Sequence, residues 1–333
     1  MALLLLAVTG CKRQKPPTAT RVWLGPNGGC VTTLEHVATD TFACWGRTRS
    51  DVPRKGLKQL AFALDEATCA LSETNELDCT SGLHVALPEV GGAIAGSGAG
   101  VCVATASGVG CSSAGVPFAE STAPWSRGAK VRAVAVGKTH VCAAYEGKGV
   151  VCRTFDPKSE DAMTFPDLDA TALAAGDAHF CAALVDRTVK CWGKNESGQL
   201  GDRTTNDSPA PVSVLGLDSV ARITAGRAHT CVLRGDATVH CWGNNERHQL
   251  ANGGTQNDGR AQMVLGILGV KEISAGGDGT CALLGKDGEV RCWGRNDACQ
   301  LGDGSLQEHS VPAGIKFRAS QGDGPLGPNC ATL

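Results

Sequence analysis

The chain has 333 residues, with 17 cysteines, 44 glycines and few aromatics (seven Phe, six Trp, one Tyr). An apolar content of 42% is enough to fill a sizeable core and excludes an intrinsically disordered chain. Thirty-one basic against 33 acidic residues leave a net charge of −2 with no basic block, so a nucleic-acid-binding surface is not expected. No run of 18 apolar residues occurs, so no membrane-crossing helix is expected either. The cysteine count is several times normal usage, which points to metal ligands in a reducing compartment or to disulfides in an oxidising one. Seventeen is odd, so at least one cysteine lacks an intramolecular partner.

The N-terminus accounts for it. A short apolar run, Leu3 to Val8, leads into Val8-Thr9-Gly10-Cys11 and then into the polar stretch Lys12-Arg13-Gln14-Lys15-Pro16-Pro17. This resembles a bacterial lipobox, in which small residues admit the peptidase and the cysteine thiol carries diacylglycerol. The resemblance implies a signal peptide over residues 1–10, a lipidated Cys11, a tether over 11–21 and a folded domain over 22–333. It also implies a bacterial envelope location, with the lipid anchor in the outer membrane or at the cell surface. The basic n-region is missing and the apolar run is short. A start assigned downstream of the true one would explain both.

From there to the C-terminus the chain repeats itself. Ala175-Gly176…His179-Phe-Cys181…Val189-Lys-Cys191-Trp192-Gly193 realigns with Ala225-Gly226…His229-Thr-Cys231…Val239-His-Cys241-Trp242-Gly243. Both realign with Ala275-Gly276…Cys281…Val290-Arg-Cys292-Trp293-Gly294. Weaker copies hold Cys142 and Cys152, Cys102 and Cys111, and Cys69 and Cys79, while a longer one runs from Cys30 to Cys44-Trp45-Gly46. The seven leading cysteines are spaced 39, 33, 40, 39, 50 and 50 residues apart, a period expected of propeller blades.

Each unit reads as strands. Val220 to Gly226 alternates apolar and polar residues before its glycine. Cys231-Val-Leu and Val239-His-Cys-Trp flank the hairpin loop Arg234-Gly-Asp-Ala-Thr, and Lys286-Asp287-Gly288 is a plainer turn. Helical periodicity is not sustained, so the fold is all-β.

Two cysteines about ten apart across a turn lie opposite one another on antiparallel strands, within disulfide reach. Disulfides are therefore expected within each unit, where they would fix hairpin register in strands poor in large side chains. The rival reading is zinc, held by His140 and Cys142, His179 and Cys181, or His229 and Cys231 with the second thiol of each unit. The histidine is absent from the other four units although their cysteines remain, and no CxxC occurs. The expectation is no metal and no cofactor, with the histidine orienting its hairpin by hydrogen bonding.

The pattern Ala-Gly-x-x-His-x-Cys…Val-x-Cys-Trp-Gly, followed by Asn195-Glu-Ser-Gly-Gln-Leu-Gly-Asp202, resembles the regulator of chromosome condensation repeat. Gln300 to Gly304 and Asn245 to Leu250 match it partly. The resemblance spans about residues 22–330 and is specific in units five to seven. It implies a seven-bladed β-propeller. Arg21-Val-Trp-Leu-Gly25 stands where Ala221 to Ala225 stands in a unit, and is expected to complete the last blade. Gly327 to Leu333 resembles the start of another unit, either a competing closing strand or a truncated eighth unit.

The family's eukaryotic founder exchanges nucleotide on a small GTPase through a protruding element, which nothing here matches. The fold also serves secreted bacterial proteins, a β-lactamase inhibitor among them, that bind proteins through one propeller face. The expected function is therefore non-catalytic protein recognition by a monomer. Units five to seven carry the polar loops Asn195–Ser208, Asn244–Arg260 and Arg295–His309; on one face they would form a raised rim for a partner. Asp202 to Asp207 and Asn252 to Asp258 lack EF-hand spacing and read as turns. No nucleophile-elbow, zincin, Walker or dinucleotide motif is present, and Gly91 to Gly110 reads as small-residue strands. The alternatives are a structural envelope or surface adhesin module, and a glycan-active enzyme with carboxylates converging at the axis. Cys299 and Cys330 remain; their pairing would pin the C-terminus to the last blade.

Overall fold

A computed structural model describes residues 18–34, 40–46, 57–63, 67–87, 90–105, 108–113, 116–120, 130–155, 162–285 and 288–315. Cys11, Cys330 and the segments predicted as signal peptide, most of the tether and the C-terminal unit lie outside them. The described residues form seven antiparallel sheets and no helix, which is the seven-bladed β-propeller that the repeat predicts. Among the described residues, blades two to seven have four strands each in chain order, and blade one has three.

A radial gradient of side-chain size explains why these residues become these strands. First strands line the axis, where seven strands crowd together, and several are rich in small residues: Ala170–Ala175 in blade five reads ATALAA. Second strands lie between neighbouring blades and are buried on both faces, as in His179–Leu184. Fourth strands form the rim and are half-exposed, as in Ser208–Ser213.

The seven predicted hairpin disulfides form, joining Cys30 to Cys44, Cys69 to Cys79, Cys102 to Cys111, Cys142 to Cys152, Cys181 to Cys191, Cys231 to Cys241 and Cys281 to Cys292. In each blade the two cysteines are direct cross-strand partners, with Cα atoms 4.0–4.1 Å apart. Their sulfurs are therefore not thiolates available to zinc. Cys299 is also disulfide-bonded.

There is no single core. Seven apolar clusters each fill the gap between two adjacent blades, and the gap between blade seven and blade one is filled like the others. The repeated Cys-Trp dipeptide serves two gaps at once, because neighbouring residues of a strand point to opposite faces. Cys241 faces blade seven, with Trp293 in the same cluster, while Trp242 faces back to blade five and its Cys181–Cys191 bridge. Each bridge thus supplies apolar mass to the next blade as well as fixing register, which offsets the scarcity of aromatics.

Ring closure differs from the sequence-based expectation. The strand Thr18–Leu24 does not complete the last blade; it pairs with Gly28–Leu34 as the first strand of blade one. Blade seven already has four strands of its own, ending in His309–Gly314. The ring closes by packing: Val22, Leu24, Val31 and Trp45 of blade one bury against Cys281, Cys292 and Leu301 of blade seven. Two polar contacts add to it, from the Val22 amide to Glu272 Oε2 at 3.1 Å and from the Leu24 amide to Ser274 Oγ at 2.9 Å.

Candidate functional site

The seven first strands enclose an axial channel of about 480 Å³. Its wall is mostly alanine, glycine and β-branched residues, with Trp23, Leu60, Phe62 and Leu173 as larger side chains and Asp177 and Arg227 as the charged residues among those described. At one end the turns after these strands are laced together across blades. Lys138 N–H donates to the Asp177 carbonyl at 2.8 Å, Asp177 N–H to Arg227 at 3.0 Å, and Arg227 N–H to Gly277 at 2.7 Å. This belt explains the recurring Ala-Gly of the repeat. A Cβ on Gly176 would lie 2.6 Å from the Gly226 carbonyl oxygen, and one on Gly226 would lie 2.6 Å from that of Gly277.

Charges alternate around this end. Lys138, Asp177, Arg227 and Asp278 follow one another from blade to blade, and Arg227 and Arg295 approach Asp278 at 3.6 and 3.7 Å. Burial pushes the Asp177 carboxyl above its ordinary range against the opposing pull of Arg227 and Lys138. A face of this kind presents mixed charge and hydrogen-bonding groups to a polar partner.

The histidines of the repeat act between blades rather than within their own hairpins. His179 and His229 are fully buried, and Nε2 of each lies 2.9 Å from a threonine hydroxyl of the next blade, Thr230 and Thr280. Nδ1 of each has no hydrogen-bond partner, so the network assigns the proton to Nε2, and Thr230 in turn donates to the Gln199 carbonyl at 3.4 Å. Burial, followed by the charge of His229, pushes His179 down to about 3, and burial pushes His229 down to about 4. Both are neutral at physiological pH. His140 is half-exposed and contacts its own neighbour, Thr139.

The loops of blades five to seven leave and return at the belt end, since Gly193 pairs with both His179 and Ser208. They do not stand up as a free rim along their whole length. The first half of each is buried: Leu200, Leu250 and Leu301 sink into the gap to the next blade. The preceding glutamine turns its backbone carbonyl to that blade's tryptophan. Trp242 Nε1 donates to Gln199 at 2.9 Å, Trp293 to Gln249 at 2.8 Å and, closing the ring, Trp45 to Gln300 at 2.8 Å.

Buried Asn195, Asn245 and Asn296 set the loop shape. Each accepts the N–H of the clamp leucine and donates through Nδ2 across the loop, as Asn296 does to Asp303 at 3.0 Å and to the Gln307 carbonyl at 2.9 Å. Burial would raise the Asp303 carboxyl, but hydrogen bonds from Ser305, His309 and Asn296 outweigh it and hold the group well below the carboxylate range. Asp202 and Asn252 make the same internal bonds, so these segments are turns. The exposed tips are residues 203–207, 255–257 and 304, 306 and 307.

Blade four lacks the Gly-Gln-Leu-Gly segment, and the consequence falls on its neighbour. Trp192 is buried with its indole N–H unpartnered among the described residues, and Phe165 packs against it with ring centroids 5.2 Å apart.

The molecule is thus a closed, seven-bladed propeller with disulfide-linked hairpins and interlocked loops. The regulator of chromosome condensation (RCC1) repeat matches residues 189–233, and a second model of that repeat matches 170–199, 220–249 and 270–299. RCC1 repeats thus match blades five to seven of a seven-bladed β-propeller. In fold it is similar to Prp20p of Saccharomyces cerevisiae, described with its binding properties to Gsp1p and histones, at 17% identity and TM-score 0.69 over 90% of this chain and 86% of that one. The yeast RCC1 (Prp20) bound to Kap60 aligns at 16% identity and TM-score 0.67, over 91% and 86%. The CRINKLY WD40 ectodomain of the Arabidopsis thaliana receptor kinase ACR4 aligns at 18% and 0.55, over 87% and 100%. No curated protein sequence matches the chain.

Two predictions follow from the inter-blade contacts. Trp242→Phe leaves the Gln199 carbonyl short of a donor, whereas Trp192→Phe removes an unpartnered N–H. The first variant should lose about 1–3 kcal/mol more stability than the second in denaturant titration with disulfides intact. The buried histidines bind protons only when the chain unfolds, so their folded pKa values lie below the unfolded value of about 6.5. The stability they contribute is complete above that pH and is lost as pH falls towards 4. Near pH 5 the pair adds a slope of about 2.5 kcal/mol per pH unit. The double variant His179→Gln and His229→Gln should flatten the pH dependence of unfolding by that amount.

Proposed function

We propose that the chain is a non-catalytic, protein-binding propeller, held on the bacterial cell envelope by lipid at Cys11. It takes its partner on the belt face, through the loop tips of blades five to seven. The observation that carries this reading is the division of those loops. Their buried halves lock blade to blade, while residues 203–207, 255–257 and 304, 306 and 307 stand exposed on a rigid base beside the alternating charges of the channel mouth. Rigid presentation of polar tips lowers the ordering cost of binding. Protein binding by similar propellers, such as that of Prp20p to Gsp1p and histones, agrees with it. A glycan-active reading calls for paired carboxylates facing across the axis, and the channel wall offers Asp177. Pairing of Cys299 with Cys330 belongs to the same proposal and would fasten the C-terminus to blade seven.

The test compares capture of envelope proteins by the wild-type chain and by a variant whose exposed tips are replaced with serine, with Asn195, Gln199, Leu200 and their counterparts untouched. A protein retained by the first and lost at least tenfold by the second is the expected result. Equal recovery by both would place the partner elsewhere, and turnover of a glycan would replace recognition with catalysis. Intact mass reads the lipid at Cys11.

A further inference from the structure

First strands run towards the belt, so the chain enters blade one at the opposite end of the propeller. The described part of that strand begins at Thr18, seven residues after Cys11. Those seven residues reach at most about 25 Å when extended. If Cys11 carries lipid, as proposed above, the face opposite the belt is the one held next to the bilayer.

That face also carries exposed apolar side chains. Among the described residues, Leu268 is 84% exposed, Leu265 66%, Met263 49% and Leu215 43%. Met263 ends a rim strand, and Leu215, Leu265 and Leu268 lie in the connections that lead from one blade to the next. Leu265 and Leu215 occupy equivalent places in successive connections, Val264-Leu265-Gly266-Ile267 and Val214-Leu215-Gly216-Leu217. In each, Val and Ile or Leu are buried in the inter-blade core while the leucine between them points to solvent.

The two observations meet at one place. The first strands of blades one and seven run side by side, with Val22 bonded to Glu272 and Leu24 to Ser274, a constant offset of 250 residues. Thr18 begins the first strand of blade one, and Leu268 precedes by two residues the first strand of blade seven, which starts at Val270. The most exposed of these leucines therefore lies at the end of the propeller where the chain enters blade one. An exposed apolar cluster of this kind marks an interaction surface.

We propose that Leu215, Met263, Leu265 and Leu268 form a membrane-contact patch that rests on the phospholipid bilayer holding the Cys11 lipid. The patch dips into the headgroup–acyl boundary and sets the propeller's orientation, so that the belt face and its loop tips point away from the membrane. It needs little intrinsic affinity, because the tether keeps its effective concentration at the bilayer high. This inference rests on lipidation of Cys11, and the two are separable by experiment.

The full-length lipidated chain is reconstituted in phosphatidylethanolamine–phosphatidylglycerol vesicles, with and without dibrominated acyl chains. Two single variants supply the reporter, Leu268→Trp on the patch and Leu306→Trp on a loop tip at the belt end. Both positions are exposed, so neither substitution disturbs a core. After subtraction of the parent signal, Leu268→Trp emission should fall at least twofold in brominated vesicles and Leu306→Trp emission should not change. Lipid present on Cys11 by mass, with Leu268→Trp unquenched or Leu306→Trp quenched instead, would overturn the patch and leave the anchor standing. An unlipidated Cys11 would overturn both.

Discussion

The structure depends on one repeated contact between blades. A tryptophan indole on the third strand of one blade donates to a glutamine backbone carbonyl in the preceding blade's loop, over a leucine buried in the same gap. Propeller blades share no backbone ladder with their neighbours, so side chains and loops must supply the cohesion. The clamp does so with one directional bond and one apolar anchor at three gaps, five to six, six to seven and seven to one. At blades seven and one it joins Trp45 to Gln300, residues 255 apart in the sequence. Closure is therefore the same kind of contact that joins blades five to six and six to seven, and it needs no exchanged strand.

This arrangement determines what the loops can do. A segment committed to holding the ring cannot also reshape itself around a partner, so recognition falls to the few residues beyond the asparagine hub. The Asn195, Asn245 and Asn296 side chains hold those tips from beneath, and the disulfides fix the hairpins from which they spring. The chain supplies little aromatic mass, yet the gaps from blade four round to blade one are filled, because a half-cystine pair on one side meets a tryptophan on the other. Where the sequence lacks Gly-Gln-Leu-Gly, at blade four, Phe165 packs against Trp192 and the indole N–H has no partner among the described residues.

Much of the fold was legible in the sequence because it is written locally. Cysteine pairs about ten residues apart, with turn residues between them, specify hairpins wherever they occur, and seven of them specify seven blades. What escaped was everything that connects one repeat to another. Arg21 to Gly25 was recognisable as a first strand, but the residues that choose its sheet lie in Gly28–Leu34 and in blade seven. His179 looked like a hairpin residue because its partner Thr230 is 51 positions away. The signal lay in the register between units, where a histidine in one repeat is answered by threonine one place further along in the next. Gly-Gln-Leu-Gly read as an ordinary polar loop, although its single leucine, in a segment otherwise of small and polar residues, was the mark of an anchor.

The clamp between blades seven and one closes the ring. Native-state hydrogen exchange on the full chain, disulfides intact, tests it by comparing wild type with the double variant Trp45→Phe and Leu301→Ala. The account predicts that backbone amides of blades one and seven lose protection together, by tenfold or more, while those of blade five keep theirs. Loss confined to blade one, or protection unchanged in both blades, would contradict it.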